Sequence, residues 1–212
     1  MRKTLEYGGF IAAAILIVFG AAAVVLGING RATVHSSLKQ EAIVGSPDMT
    51  PKGIAAEAQK AGLKGITLPT KSVAGQTVDN GSKARTFADY MRIHTLEATG
   101  GQTFSQMPRF ATADGKGTNN EAQALKVKGQ PVDNPKRNIW VTETALTTAL
   151  NAGYMAEQIA LFGIVVGIAL LLSGFGFGIL AAAGALRNRE TPLAAFARRS
   201  ESPDTHLAVP TA

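Results

Sequence analysis

Two long uncharged stretches constrain this chain more than any other feature of its sequence. The first runs for 21 residues from Gly8 to Ile28, and the second runs for 28 residues from Ile159 to Leu186. At a rise of about 1.5 Å per residue, a helix of the first length covers roughly 30 Å, the thickness of the hydrocarbon core of a bilayer. The second stretch is longer than one crossing requires, so we expect it to tilt or to emerge at one end. The sequence predicts two transmembrane helices.

A cleaved signal peptide is the alternative for the first stretch, because Ala21, Ala22 and Ala23 supply small residues of the kind found at cleavage sites. Apolar residues continue past these alanines through Leu26, however. The apolar region of a signal peptide is usually about 7–15 residues long, which is shorter than this stretch. We therefore favour an uncleaved membrane span.

Basic residues lie outside both stretches, at the two ends of the chain. Arg2 and Lys3 precede the first stretch. The second stretch is followed by Arg187, Arg189, Arg198 and Arg199. Because Lys and Arg collect on the cytoplasmic side, both ends are expected in the cytoplasm, and two crossings require the ends to share a side. Arg31 and Lys39 oppose this orientation weakly, but they belong to a long segment, and such segments translocate largely regardless of charge.

The expected architecture is mainly α: a transmembrane two-helix hairpin that carries a small, helical, loop-rich extracytoplasmic domain. The predicted parts are a cytoplasmic tail at 1–7, a span at 8–28, the outer domain at 29–158, a second span at 159–186, and a disordered cytoplasmic tail at 187–212. The expected location is the plasma membrane of a bacterium.

Small residues recur on one face of each stretch. They are Gly163, Gly167, Gly174 and Gly178 in the second stretch, and Gly9, Ala13, Gly20 and Gly27 in the first. At about 100° per residue, the four glycines of the second stretch fall within about 60° of arc, and the four small residues of the first stretch fall within about 40°. Such spacing lets helix backbones approach closely in lipid, so we predict that the two faces pack together. The alternatives are that one face serves a homodimer, or that glycine is simply common in membrane helices.

Several function classes are disfavoured by composition. Neither stretch contains an ionisable residue, whereas transporters and ion pathways usually need one inside the membrane. The net charge is +6, but six of the 21 basic residues lie in the tails, and the remainder are spread singly without a basic and aromatic stripe. We therefore expect no nucleic-acid partner. The absence of cysteine excludes a disulfide framework and thiol catalysis.

The central segment predicts three helices and then a fourth, much longer one. The first begins at Thr50-Pro51 and ends at Gly62, the second follows the turn at 79–82 and stops at Gly100, and the third is short, from Asn120 to Lys126. From Ile139 the helical pattern continues into the second span without proline. This predicts one helix over about 139–186, roughly 70 Å long.

Candidate chemistry in the central segment is sparse. His94 and Glu97 are three residues apart on one helical face, and a metal triad there would also need His35. A solvated surface pair is the more common outcome of this spacing, so we expect no metal site, no cofactor and no catalytic residue. Residues 114–118 contain glycine and lysine but lack the spacing of a phosphate loop, which favours a simple turn.

Five short segments carry a resemblance to known sequences: Ser46–Pro51, Arg85–His94, Gln106–Phe110, Thr112–Thr118 and Trp140–Leu146. With them, residues 5–186 resemble a family of uncharacterised actinobacterial two-span membrane proteins. Members often carry the label "aromatic ring-opening dioxygenase, LigA-like", which implies a non-haem iron enzyme that acts on soluble substrates. Only His35, His94 and a carboxylate are available as iron ligands, so no site residue is carried over. The resemblance implies a bacterial source and a shared architecture.

The function favoured by these features is that of an accessory or scaffold protein. Its partners would be the lipid bilayer and a protein, either a different chain or a second copy, bound through the glycine faces or the outer domain. A membrane-anchored enzyme is the first alternative, the dioxygenase label included. A membrane sensor is the second, although a tail that begins at Arg187 is too short for a catalytic output domain.

Overall fold

The computed structural model describes residues 2–185, and it is mainly helical, with about 64% of these residues in helices. Its helices are α1 (Arg2–Gln40), α2 (Pro51–Lys60), α3 (Gly81–Ala98) and α4 (Pro135–Ala182). A 3₁₀ turn at Glu121–Gln123 precedes two short strands, β1 (Lys126–Val127) and β2 (Gln130–Pro131). The strands are antiparallel, with Lys126 opposite Pro131 and Val127 opposite Gln130. The predicted helical fold class is confirmed.

The prediction of one long final helix is confirmed, but α4 begins four residues before Ile139. Its start is set by Asn134, whose side-chain oxygen accepts a hydrogen bond from the backbone N–H of Lys136 at 3.1 Å. Pro135 follows at the first helical position, where its missing N–H costs nothing. At the other end Gly184 adopts a φ of 66°, and the N–H of Ala185 bonds to the carbonyl of Leu180 at 3.0 Å. This left-handed glycine closes the helix.

Helix α1 extends further than the sequence predicted, because it continues past Ile28 to Gln40. Its last turns are held by a core that belongs to distant parts of the chain. Leu38 packs with Val78 of the loop before α3 and with Leu150 of α4. Such long-range burial stabilises a helix end that has no strong local signal of its own.

The described residues form two compact units, one made of residues 2–22 and 166–185 and the other of residues 23–165. Both α1 and α4 are long and apolar enough to cross a membrane. Their apolar side chains are largely exposed; Val18 is 66% exposed and Leu172 is 69% exposed. Because a core helix of a soluble protein buries such side chains, this surface favours a lipid environment.

In the first unit α1 and α4 approach each other at the predicted small residues. A methyl group added at Gly20 would lie 2.8 Å from the carbonyl oxygen of Gly167, and one added at Gly174 would lie 3.1 Å from the carbonyl oxygen of Ala13. Gly178 is looser, with 3.7 Å between its added methyl and the side chain of Ala13. Two backbones this close leave no room for a side chain at Gly20 or Gly174.

The second unit contains a similar contact between the same two helices. A methyl group at Gly27 would lie 2.6 Å from the carbonyl oxygen of Ala160. At Gly163 the nearest atom is 3.8 Å away, the carbonyl oxygen of Ala23, which is an ordinary contact. The remaining predicted residue, Gly9, is buried.

The predicted short helices α2 and α3 are confirmed, and both begin at side-chain caps. Thr50 accepts a hydrogen bond from the N–H of Gly53, and Asn80 accepts one from the N–H of Lys83. The two helices bury Ile54 and Tyr90 in a shared apolar cluster, which fixes their packing.

The predicted third helix, from Asn120 to Lys126, is wrong. Only one 3₁₀ turn forms, capped by the side chain of Asn120. The chain then leaves the helical path because the N–H of Leu125 bonds to the carbonyl of Ala111 at 2.8 Å and the next residues pair as β1 and β2. The reversal between the strands uses Gly129 at a φ of 79°, which favours glycine.

We expect Gly20→Ile to lower the thermal unfolding temperature of the purified protein in detergent, measured by circular dichroism. The new side chain overlaps the backbone at Gly167, and overpacking of this kind costs about 1–3 kcal/mol. Gly176→Ile is the matched control, because an added methyl at Gly176 meets nothing within 4 Å. Equal unfolding temperatures for the two variants would contradict the close helix contact.

Candidate functional site

Glu157 is the most constrained charged residue of the second unit. It is only 4% exposed, although it lies on α4 two residues before the predicted second span. One of its carboxylate oxygens is 2.9 Å from Nε of Arg31 and 2.9 Å from Nε2 of His35. The other accepts a hydrogen bond from the backbone N–H of Gly81 at 2.6 Å. One carboxylate therefore connects α1, α4 and the first residue of α3.

The electrostatics of this cluster favour the ionised carboxylate. Burial on its own would raise the pKa of Glu157, but hydrogen bonds from His35, Arg31 and Gly81 outweigh it, so the pKa is lowered below its usual value. The contact with Gly81 also places the negative charge at the N-terminus of a helix, where unpaired N–H groups and the helix dipole stabilise it. The cluster is a partly buried polar network in which both carboxylate oxygens have hydrogen-bond partners.

A second cluster joins the start of α2 to α3. Nε2 of His94 lies 3.1 Å from Oδ2 of Asp48 and 3.3 Å from Oε2 of Glu57. The three side chains offer ligand atoms that all lie within 4.8 Å of one another. Asp48 comes from the turn before α2, where the hydroxyl of Ser46 is the main cause of its lowered pKa, opposed by burial and assisted by the charge of His94. These three residues could hold a metal ion.

Two of the concave surfaces in the second unit could receive a ligand or a partner. One is a cleft of about 460 Å³ between residues 65–69 and the side of α3, lined by Arg85, Asp89 and Arg92. Arg85 and Asp89 pair there at 3.6 Å, so the charges partly neutralise each other. The other is an apolar groove of about 320 Å³ between α1 and α4, hereafter the α1–α4 groove. It is lined by Thr33, Val34, Ser37, Leu38, Glu41, Ile43, Leu146, Ala149, Leu150 and Gly153.

The structure separates the two histidines that the sequence offered as a joint metal site. His35 contacts Glu157, whereas His94 contacts Asp48 and Glu57. Glu97, the carboxylate predicted to share a face with His94, is not part of either cluster. Helical spacing did not indicate Asp48 or Glu57, because these carboxylates lie 46 and 37 residues before His94 in the chain.

The glycine-containing loop at 114–118 forms a turn. Asp114 accepts hydrogen bonds from the hydroxyl of Thr112 and from the N–H of Lys116, which closes the loop on itself. Gly117 packs against Pro108 at a positive φ. A carboxylate at the loop centre repels phosphate, so this arrangement disfavours a phosphate site.

The Glu157 cluster was not predicted from the sequence. A signal was present: Glu157 lies just before the second uncharged stretch, and Arg31 and His35 lie just after the first. If two spans pack antiparallel, residues at such mirrored positions come close to each other. No protein-family model, curated protein or solved structure matches this chain.

We expect Glu157→Gln to lower the thermal unfolding temperature at pH 7, and we expect the difference from the unmodified protein to shrink as the pH falls below the unfolded-state pKa of about 4.3. The folded-state pKa of Glu157 is below the unfolded value of about 4.3. The ionised carboxylate therefore stabilises the fold fully above that pH, and this stabilisation is lost as the pH falls through the folded-state pKa. Loss of charge-assisted hydrogen bonds corresponds to about 2 kcal/mol at neutral pH. The measurement is thermal unfolding in detergent from pH 3 to 8.

Asp89→Asn is the control for this prediction. Asp89 is exposed and pairs with Arg85 at 3.6 Å, and surface pairs contribute about 0–1 kcal/mol. A pH-independent difference between the protein and Glu157→Gln would contradict the role assigned to the carboxylate charge.

Proposed function

We propose that this chain is a two-span membrane protein whose outer domain, residues 29–158, binds another protein as an accessory or scaffold subunit. The observation that carries the proposal is the α1–α4 groove, an apolar surface that lies on residues outside both predicted spans. Apolar grooves on water-exposed surfaces are among the features that mark interaction sites. The proposal depends on the geometry and charge of the chain's own residues.

The membrane placement is supported by the exposed apolar side chains of α1 and α4 and by the charges at the chain ends. Arg2 and Lys3 favour a cytoplasmic N-terminus. The four arginines after Leu186 favour a cytoplasmic C-terminus, and they lie outside the described residues. In this arrangement the two helices form an antiparallel hairpin, and the outer domain lies on the extracytoplasmic side.

The α1–α4 groove suits a protein partner better than a small polar ligand. Its walls are the side chains of Val34, Leu38, Ile43 and Leu150, and its rim carries the exposed Leu146. A shallow apolar groove between two helices commonly binds the apolar face of a third helix. Both faces of such a contact lose water-exposed apolar area, about 25 cal/mol for each Å² buried.

The absence of ionisable residues from both predicted spans supports an outer-domain function over transport. Two helices without ionisable side chains offer neither a proton relay nor a charged pore within one chain. The buried Glu157 lies outside the spans, where its partners link three helices of the outer unit. By linking three helices, the Glu157 cluster limits their relative motion, which favours a domain that presents the α1–α4 groove in a fixed geometry to a partner.

The test is affinity isolation of the full chain from membranes in mild detergent, after photocrosslinking from an unnatural amino acid at position 146. We expect a discrete crosslinked protein that copurifies in constant ratio, and we expect Leu146→Glu to abolish its recovery by placing a charge in the groove. Mass spectrometry then distinguishes a different chain from a second copy.

Val141→Glu is the matched control, because Val141 is also exposed on α4 but does not line the groove. It should leave the partner bound. Isolation of a lone monomer without any crosslinked species would overturn the proposal, and equal loss of the partner in both variants would show that the groove is not the binding surface.

A further inference from the structure

We infer that Asp48, Glu57 and His94 form a binding site for a divalent transition-metal ion, of which Zn²⁺ is the best fit. The inference is independent of the proposed scaffold function, because a metal ion could bind these three side chains whichever partner the outer domain binds. It rests on the spacing of the three side chains, on the state of the His94 nitrogen and on the way the backbone holds the ligands.

The spacing matches a metal coordination sphere. Ligands about 2.0–2.1 Å from a zinc ion, at tetrahedral angles, lie about 3.3 Å from one another. Nε2 of His94 is 3.1 Å from the Asp48 oxygen and 3.3 Å from the Glu57 oxygen. One ion therefore fits between the nitrogen and the two oxygens with small movements of the side chains.

The His94 nitrogen is buried but makes no hydrogen bond. Nε2 is shielded from solvent, and neither carboxylate oxygen lies where a hydrogen bond from the ring would point. A buried polar atom without a hydrogen bond is costly, so it calls for an explanation. A metal ion on the axis of the nitrogen lone pair supplies one, because its other ligands lie off that axis and come close to the nitrogen without bonding to it.

The backbone holds each ligand next to a buried residue. Asp48 precedes Met49, Glu57 precedes Ala58 and His94 follows Ile93, and all three neighbours belong to one apolar cluster. Such support limits the motion of the ligand side chains, which lowers the entropy cost of binding.

Gly53 adds a further constraint on the turn that carries Asp48. A methyl group at Gly53 would lie 2.5 Å from the carbonyl oxygen of Asp48. The turn therefore closes against the first turn of α2 only because residue 53 has no side chain. This close approach directs Asp48 toward α3 and His94.

The ligand set selects the class of metal. One imidazole and two carboxylates suit zinc, iron, manganese and their neighbours, whereas calcium and magnesium prefer oxygen ligands alone. Three protein ligands leave a fourth position, and all three side chains are partly exposed, so that position is open to water.

The test uses the full chain in detergent, stripped with a chelator, and titrates it with Zn²⁺ by calorimetry and with Co²⁺ by visible absorption. We expect one site per chain and a Co²⁺ spectrum of low coordination number, with no binding of Ca²⁺ at the same concentrations. His94→Gln, Asp48→Asn and Glu57→Gln should each weaken Zn²⁺ binding at least about tenfold, since loss of an outer-sphere partner alone costs that much.

Glu97→Gln is the matched control, because it removes a carboxylate from the same helix, three residues from His94, and should leave Zn²⁺ binding unchanged. Circular dichroism of each variant separates loss of a ligand from loss of folding, and the isosteric Asp48→Asn keeps the inference testable if His94→Gln unfolds. Absence of Zn²⁺ binding, or binding of equal strength in folded versions of all four variants, would overturn it.

Discussion

The exposed apolar surface of α1 and α4 is the constraint on which the rest of the structure depends. Side chains such as Val18 and Leu172 are 66% and 69% exposed, and exposure of such a side chain to water costs up to about 1.5–3 kcal/mol. The proposed lipid environment removes that penalty, and it also explains why the helix contacts use glycine. Where lipid tails are as apolar as leucine, close backbone packing at Gly20 and Gly174 drives association better than large apolar side chains do.

Glu157 provides a polar contact between α1 and α4, the same two helices that pack at the glycines. It lies just outside the proposed second span, where α4 passes from apolar to mixed sequence, and it binds Arg31 and His35 of α1. Removing one partner would leave a buried charge uncompensated, which typically costs more than the pair itself contributes. Because Gly81 also binds the carboxylate, the orientation of α3 is linked to the same point, and α3 in turn carries His94.

The sequence predicted what local rules determine. Side-chain chemistry predicts the helix caps at Thr50 and Asn80, and helical spacing predicts the long helix α4. Neither rule depends on contacts between distant parts of the chain. The sequence did not predict the extension of α1 to Gln40, the Glu157 cluster and the group of Asp48, Glu57 and His94. Each depends on residues far apart in the chain, where no periodicity reports which side chains meet.

The most direct test of the proposed crossings uses the absence of cysteine from the chain. Two single-cysteine variants are made, one with Lys116→Cys in the exposed loop of the outer domain and one with Ser200→Cys after the last uncharged stretch. Each variant is then treated with a membrane-impermeant maleimide. The account predicts that Lys116→Cys is labelled in intact cells and that Ser200→Cys is labelled only after the membrane is permeabilised. Labelling of both positions in intact cells, or of Ser200→Cys alone, would contradict the two-span arrangement.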